Sequence, residues 1–313
     1  MIDFTRAFSS AWERMLVILF QPFDFVRWLT IGFSAFLAGL LSGGNGFNGS
    51  FNLPTNFSPP NQQTLQHSAS QTMTAFSSLQ TGFLAVFVVT ALVVGLAISL
   101  LMYWLGARGQ FLLLDNIVRN RAAISEPWTR YARPANRVFF FQLLCLAASV
   151  VVMLVLGVPA LLAGVFGLVR HAWPVGISIG VLVVLGAVYI TVSLLFFCFI
   201  FLFQEWGIPL IFRHDLTLRA AMTEIVDIIR RWPGPIALFL LLRVALALAF
   251  FVCSILVCLG TCCLGGLPYI GTVVVLPALI YLKCFSLDCL AQLGPAYDVW
   301  TVDVPPVPAP ELR

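Results

Sequence analysis

The sequence predicts an all-α fold: a polytopic membrane helix bundle of about six transmembrane helices, with amphipathic helices lying at its cytoplasmic base. Three observations predict it. First, the 313 residues are 60% hydrophobic and 10% charged, whereas a soluble domain carries about 25% charged residues. Second, the apolar residues gather into runs near the ~20 residues that a membrane helix needs. Third, arginines crowd alternate connections and are nearly missing from the rest, the pattern of a cytoplasmic bias in basic loops. A mean hydropathy of +0.99 leaves too little polar surface for water, so lipid must solvate most of the chain.

The chain opens on MIDFTRAFSSAWERMLVILFQPFDF. Asp3 and Glu13 interrupt a cationic start, and no small-residue cleavage pattern follows, so the segment is expected to be retained. Phe4, Ala7, Phe8, Ala11, Trp12, Met15 and Leu19 make one helical stripe, with Arg6, Ser9, Ser10, Glu13 and Arg14 opposite. Asp3 is the expected N-cap.

Six apolar runs follow, at about 26–42, 82–106, 138–168, 174–203, 235–260 and 268–290. Residues 1–304 form a single membrane domain on this reading, and 305–313 a disordered, proline-rich tail. The third and fourth runs exceed a vertical helix, and tilt absorbs the excess more readily than another crossing. Arg6, Arg14 and Arg27 precede the first run; six arginines lie at 107–137 and four at 213–231. Residues 43–81 and 261–267 hold no Lys or Arg. The orientation follows: a multi-pass membrane protein with six crossings and both termini cytoplasmic. The polar extracytoplasmic loop 43–81 is rich in Asn, Gln, Ser and Gly and has too little apolar surface to offset its ordering entropy. Asn48 and Asn56 match a glycosylation pattern that matters only in a eukaryotic secretory route.

One phrase recurs. RAAISE stands at 121–126 and RAAMTE at 219–224, and Arg6-Ala-Phe-Ser-Ser is a weaker copy. Each precedes a run, and proline follows at Pro22, Pro134, and Pro233 with Pro235. In the third copy Leu218, Ala221, Met222, Ile225, Ile229 and Trp232 share a face, with Thr217 or Asp215 as cap; in the second, Ser125-Glu126-Pro127-Trp128 reads as a helix start. These stretches are too polar to span and apolar enough on one face to lie at the headgroups. They suggest an internal repeat of interfacial helix then span, marked by Arg6, Arg121, Arg219, Glu126 and Glu224. Trp12, Trp28, Trp128 and Trp232 suit headgroup depth.

The stretches AWERMLVILFQPFDFVRWLTIGFSAFLA, RGQFLLLDNIVRNRAAISEPW, FQEWGIPLIF and KCFSLDCLAQLGPAYD resemble an uncharacterised family of bacterial integral membrane proteins. That family is related to the membrane domain attached to some glycerophosphodiester phosphodiesterases. The resemblance implies a helical inner-membrane protein and carries no activity. The phosphodiesterase chemistry belongs to a separate soluble barrel with clustered histidines and carboxylates, and His67, His171 and His214 are scattered over different connections.

No phosphate-binding glycine loop, nucleophile elbow or HExxH motif is present, so no enzyme activity is expected and no catalytic residue, metal or cofactor is assigned. Cys258, Cys262 and Cys263 cluster near a turn. They read as small residues in a tight helical turn, or as disulfide partners if that turn faces an oxidising compartment. Gly176 and Gly180 read as a close helix-packing pair. Glu205-Trp-Gly-Ile-Pro209 reads as the stop of the fourth span, or as a break that lines a site.

The informative residues are ionisable groups within the spans. Arg243 and Lys283 fall in the cytoplasmic half, with Glu205, Asp115 and Asp288 at similar expected depth. An intramembrane ion costs at least about 2.5–3.5 kcal/mol unless it snorkels or pairs. These five form the candidate intramembrane polar cluster. The leading functional reading is a non-enzymatic membrane scaffold or lipid-interacting protein; the alternative is a transporter or lipid-handling protein with an inward-facing polar pocket near Arg243 and Lys283. A closed bundle favours the first, a cavity reaching Arg243 the second. Membrane lipids with anionic headgroups on the cytoplasmic side are the expected partners, with no nucleic acid.

Overall fold

The computed structural model describes residues 2–21, 23–42, 72–159, 161, 162, 165, 175–214, 216–260 and 268–301; these form helices and turns, with no strand among them. Asp3 caps α1 (Phe4–Phe20) by accepting from the Thr5 and Arg6 amides. Then come α2 (Phe25–Ser42) and the long α3 (Thr72–Val118). A short α4 (Ser125–Arg130) leads into α5 (Ala132–Val152), which a π-turn extends through Gly157. α6 (Val175–Leu202) passes through a second π-turn, Phe203–Gly207, into α7 (Ile208–His214). Thr217 caps α8 (Leu218–Arg231). α9 (Pro233–Gly260) and α10 (Pro268–Ala291) follow, and 3-10 turns at Pro295–Tyr297 and Val299–Thr301 close the described chain.

Among the described residues, five helical stretches are long and apolar enough to cross a membrane: Val86–Val118, Ala132–Gly157, Val183–His214, Pro233–Leu256 and Tyr269–Ala291. The first expected span, 26–42, forms α2, an apolar helix that is shorter than these. The protein is therefore an all-α, multi-pass membrane bundle.

Its two ends differ. Buried residues crowd one end: Phe111 to Ile117 of α3, Leu202 to Phe212 across the second π-turn, Leu276 to Leu290 of α10, and the inner faces of α1 and α8. Toward the other end, Val86 to Leu96 of α3, Val183 to Leu195 of α6 and Leu248 to Leu256 of α9 present exposed aliphatic side chains. Such a surface is stable only where hydrocarbon is the solvent.

Several expected boundaries shift for one reason. α3 continues through Val118 rather than ending near 106, and the fourth span runs on to His214 rather than stopping near 203. The added turns carry Gln110, Asp115, Asn116 and Glu205, polar residues that end an apolar run in sequence but lie buried in the packed end. Residues 72–81, expected to belong to the polar loop, are helical. Loop residues 43–71, including Asn48 and Asn56, as well as His67, His171, Asp215, Cys262, Cys263 and the tail from 302 onward, lie outside the described residues. Among the described residues nothing lies within 4 Å of where a Cβ at Gly180 would stand, so none of them packs closely on that residue.

The recurring phrase takes two conformations. RAAMTE lies wholly within α8. RAAISE instead begins in a non-helical turn after Asn120, which adopts φ 49, and enters a helix only at Ser125. The order of short helix then apolar helix does recur, as α1–α2, α4–α5 and α8–α9. The stripe of α1 packs on protein rather than on headgroups. Ala7, Ala11 and Met15 are buried, Phe8 meets Phe285 at 4.9 Å and Trp12 meets Tyr281 at 6.1 Å between ring centroids.

Candidate functional site

Pro209 has no amide hydrogen and its ring crowds the carbonyl four residues back, that of Glu205. The chain answers with a π-turn over Phe203–Gly207 instead of a stop. Such single wide turns recur at functional sites. Gly207 keeps the turn against α8, because a Cβ there would stand 2.7 Å from Ile225 Cδ1. Glu205 is thereby held within the packed end.

Two cations reach it from other helices. Arg243 Nη2 of α9 lies 3.2 Å from Glu205 Oε1, and Lys283 Nζ of α10 lies 3.2 Å from Oε2. The Glu205, Arg243 and Lys283 side chains are 7%, 11% and 27% exposed, so all three charges are largely out of water. Arg243 stands ten residues into α9, roughly 15 Å along the axis at about 1.5 Å per residue. The Arg243 guanidinium also sits 5.8 Å from the Phe201 ring centre. Opposite charge at this range offsets a desolvation penalty of several kcal/mol per ion. The count is uneven: two cations face one carboxylate.

These residues form part of the wall of a cavity of about 690 Å³. That lies within the ~300–1,000 Å³ range of small-molecule pockets. Helices α2, α3, α6, α7, α9 and α10 supply its lining, which is mainly aliphatic and aromatic. On α10 the lining runs from Gly271 to Leu287, roughly 24 Å of helix at ~1.5 Å per residue. Gln110 of α3 lines it with a buried, unpartnered Oε1, and the Arg243 Nε is likewise buried without an acceptor. Four lining residues, Phe197 of α6 and Val244, Leu248 and Phe251 of α9, are 54–64% exposed. The exposed part of the cavity wall thus lies on α6 and α9.

Asp115 and Asp288 do not join this group. Asp115 is fully buried and fully partnered: Arg121 Nη2 donates at 2.7 Å, the Tyr131 hydroxyl donates at 3.1 Å, and Arg119 Nε lies at 3.2 Å. Asp288 pairs with Arg14 Nε of α1 at 3.2 Å. Both tie helices together at the packed end. Burial, reinforced by the Asp115 carboxylate, pushes the Tyr131 hydroxyl up to about 12. Arg121 also donates to Glu126 at 2.7 Å, and this bond holds Glu126 below the usual glutamate range.

The recurring-phrase residues are placed separately. Arg6 and Arg219 are exposed on α1 and α8, and Glu224 accepts from the Tyr297 hydroxyl. Sequence reasoning missed Gln110 and Gln204 of the cavity wall, because both stand beyond the expected ends of their spans. It also missed a stack at the same end of α3, where the Arg108 guanidinium lies 4.4 Å from the Trp104 ring centre and 5.0 Å from that of Trp128.

No curated protein and no solved structure matches the chain. The model of a family of unknown function, DUF7544, matches residues 2–297, from the start of the α1 cap to the first 3-10 turn after α10. The chain belongs to that family.

Proposed function

We propose that this protein is a lipid-handling membrane protein that takes an amphiphilic molecule into its central cavity. The observation that carries the reading is the conjunction of an apolar cavity of about 690 Å³ with the buried Glu205–Arg243–Lys283 group in its wall. A scaffold has no need of a cavity lined by paired charges, since burying ions is unfavourable and hydrophobic packing would serve stability as well. An apolar wall with a few convergent polar groups is the usual form of a small-molecule site.

The proposed setting is a bacterial inner membrane, with both termini and the arginine-rich connections cytoplasmic. Six crossings are proposed, α2 being the first. The hydrogen bond from Gln292 Nε2 to the Asp3 carbonyl, 3.0 Å, supports an even count, because it keeps the two ends of the chain on one side. Anionic lipids on that side are the proposed surroundings.

Native mass spectrometry of the purified full chain tests the proposal. The expected result is a co-purifying lipid on the wild type, largely lost from Arg243→Leu that still elutes as a folded protein. Wild-type protein that carries no lipid and takes none up from added lipid overturns the reading.

A further inference from the structure

The charge count in the cavity wall goes further than the presence of a site. Among the described lining residues Glu205, Arg243 and Lys283 are the only charged ones. Glu205 offers one carboxylate, with one cation 3.2 Å from each of its two oxygens. One cation is compensated and one positive charge is left over. Uncompensated charge in a low-dielectric site is unfavourable, and an arriving anion relieves it. An anion with two charges would leave an excess negative charge instead, and a zwitterion would relieve nothing.

The Arg243 Nε is buried without an acceptor while its Nη2 is held by Glu205. One guanidinium edge is thus fixed and another donor remains for an incoming oxygen. The way in is also marked. Phe197 of α6 and Val244, Leu248 and Phe251 of α9 line the cavity and are more than half exposed. An occupant arriving there comes from the hydrocarbon, with its tail already in an apolar setting.

Resting on the lipid-handling reading above, we infer that the cavity selects an amphiphile whose head carries a single negative charge, a phosphodiester or a carboxylate, and that Glu205 is the residue that sets this count. The ligand enters sideways from the bilayer across the α6–α9 wall. Its head lies against Arg243 and Lys283 and its tail along the apolar lining of α9 and α10. Glu205 is a specificity-determining residue: it subtracts one positive charge from the site and thereby disfavours doubly charged heads.

The test is competitive lipid binding to the full chain in a neutral detergent, read by native mass spectrometry at alkaline pH. The lipids share oleoyl chains: phosphatidylglycerol and free oleate with one charge, phosphatidic acid with two, and phosphatidylcholine as the zwitterion. Wild type is expected to favour both singly charged lipids over the other two by about fivefold or more. Glu205→Gln is expected to reverse the order of phosphatidylglycerol and phosphatidic acid. Lys283→Met, which leaves the Glu205–Arg243 pair intact and the site neutral, is expected to lose the preference over phosphatidylcholine. Should Glu205→Gln fail to fold, Lys283→Met carries the test alone. Wild type that binds these lipids without regard to charge, or Lys283→Met that keeps the wild-type preference, overturns this inference while leaving the lipid-handling reading intact. Wild type that binds none of them overturns that reading as well.

Discussion

Gly109 of α3 packs directly against the backbone of α2. A Cβ at that position would lie 2.5 Å from the Leu37 carbonyl carbon and the Ala38 nitrogen. Backbone cannot give way as a side chain tip does, so even one methyl group must push the helices apart. Gly109→Ala is expected to destabilise the protein by about 1–3 kcal/mol, the usual range for overpacking; a melting temperature in detergent equal to wild type would count against this crossing. Other residue-scale features were legible to different degrees. Arg243 and Lys283 drew notice because a charge within an apolar run must find a partner, and both meet Glu205. The partners of Asp115 were not legible. They come from the following turn and from Tyr131, and sequence distance alone does not reveal a chain that doubles back at Asn120. Gln110 was hidden for the opposite reason: it looks like the polar residue that follows a span.

At the scale of elements, the segment after α10 acts as a strap. Arg213 Nη1 donates to Thr301 Oγ1 at 2.7 Å, His214 Nε2 lies 2.7 Å from the Ala296 carbonyl, and the Arg14 guanidinium lies 3.8 Å from the Trp300 ring centre. The strap joins α1, α7 and α8 to the end of α10, although each contact is exposed or only partly buried. Trp300→Ala is expected to cost about 1–3 kcal/mol, from the lost cation–π contact and its packing, and to hasten proteolysis near residue 295; unchanged melting and cleavage would refute the strap. The α3–α4 turn makes a different prediction. Arg121 bridges Asp115 and Glu126. Glu126 is held below its ordinary value of 4.5. A carboxylate lowered by folding stabilises above its unfolded value and loses that contribution as pH falls through the lowered one. The melting temperature is therefore expected to drop as the solution is acidified below about 4.5, and Glu126→Gln to make that drop shallower. Equal acid sensitivity of the two proteins would exclude this turn as a source. The same turn explains why RAAISE and RAAMTE diverge. Arg121 is drawn back to Asp115, whereas α8 places Arg219 on an exposed face. Local likeness of sequence yields to the tertiary partner that is available.

On the scale of the whole molecule, the proposed count of crossings is argued from parity. Among the described residues five helices pass the length and apolarity expected of a span, yet Asp3 and Gln292 are hydrogen-bonded to each other. Five crossings would put them on opposite sides of the bilayer, which supports the even number proposed above. The five long apolar helices were legible because hydrocarbon imposes a length on every span; the packed end was not, because there protein replaces lipid and polar residues become buried without breaking the helices. In the proposed topology α2 supplies the sixth crossing. It is 18 residues long, roughly 27 Å at ~1.5 Å per residue against a hydrocarbon thickness of ~30 Å, and a mismatch of that size costs little. The chain carries no Lys or Arg between 43 and 81 to hold that loop inside. Reporter fusions decide the matter: alkaline phosphatase after residue 60 is expected to be active and green fluorescent protein dark, with the reverse after residues 120, 216 and 301. A reporter at 60 that shares the side of the one at 301 would leave α2 within one leaflet and require one of the five longer helices not to cross either, for a count of four, and the cavity wall supplied by Ala35, Ala38 and Gly39 would then belong to a half-inserted helix.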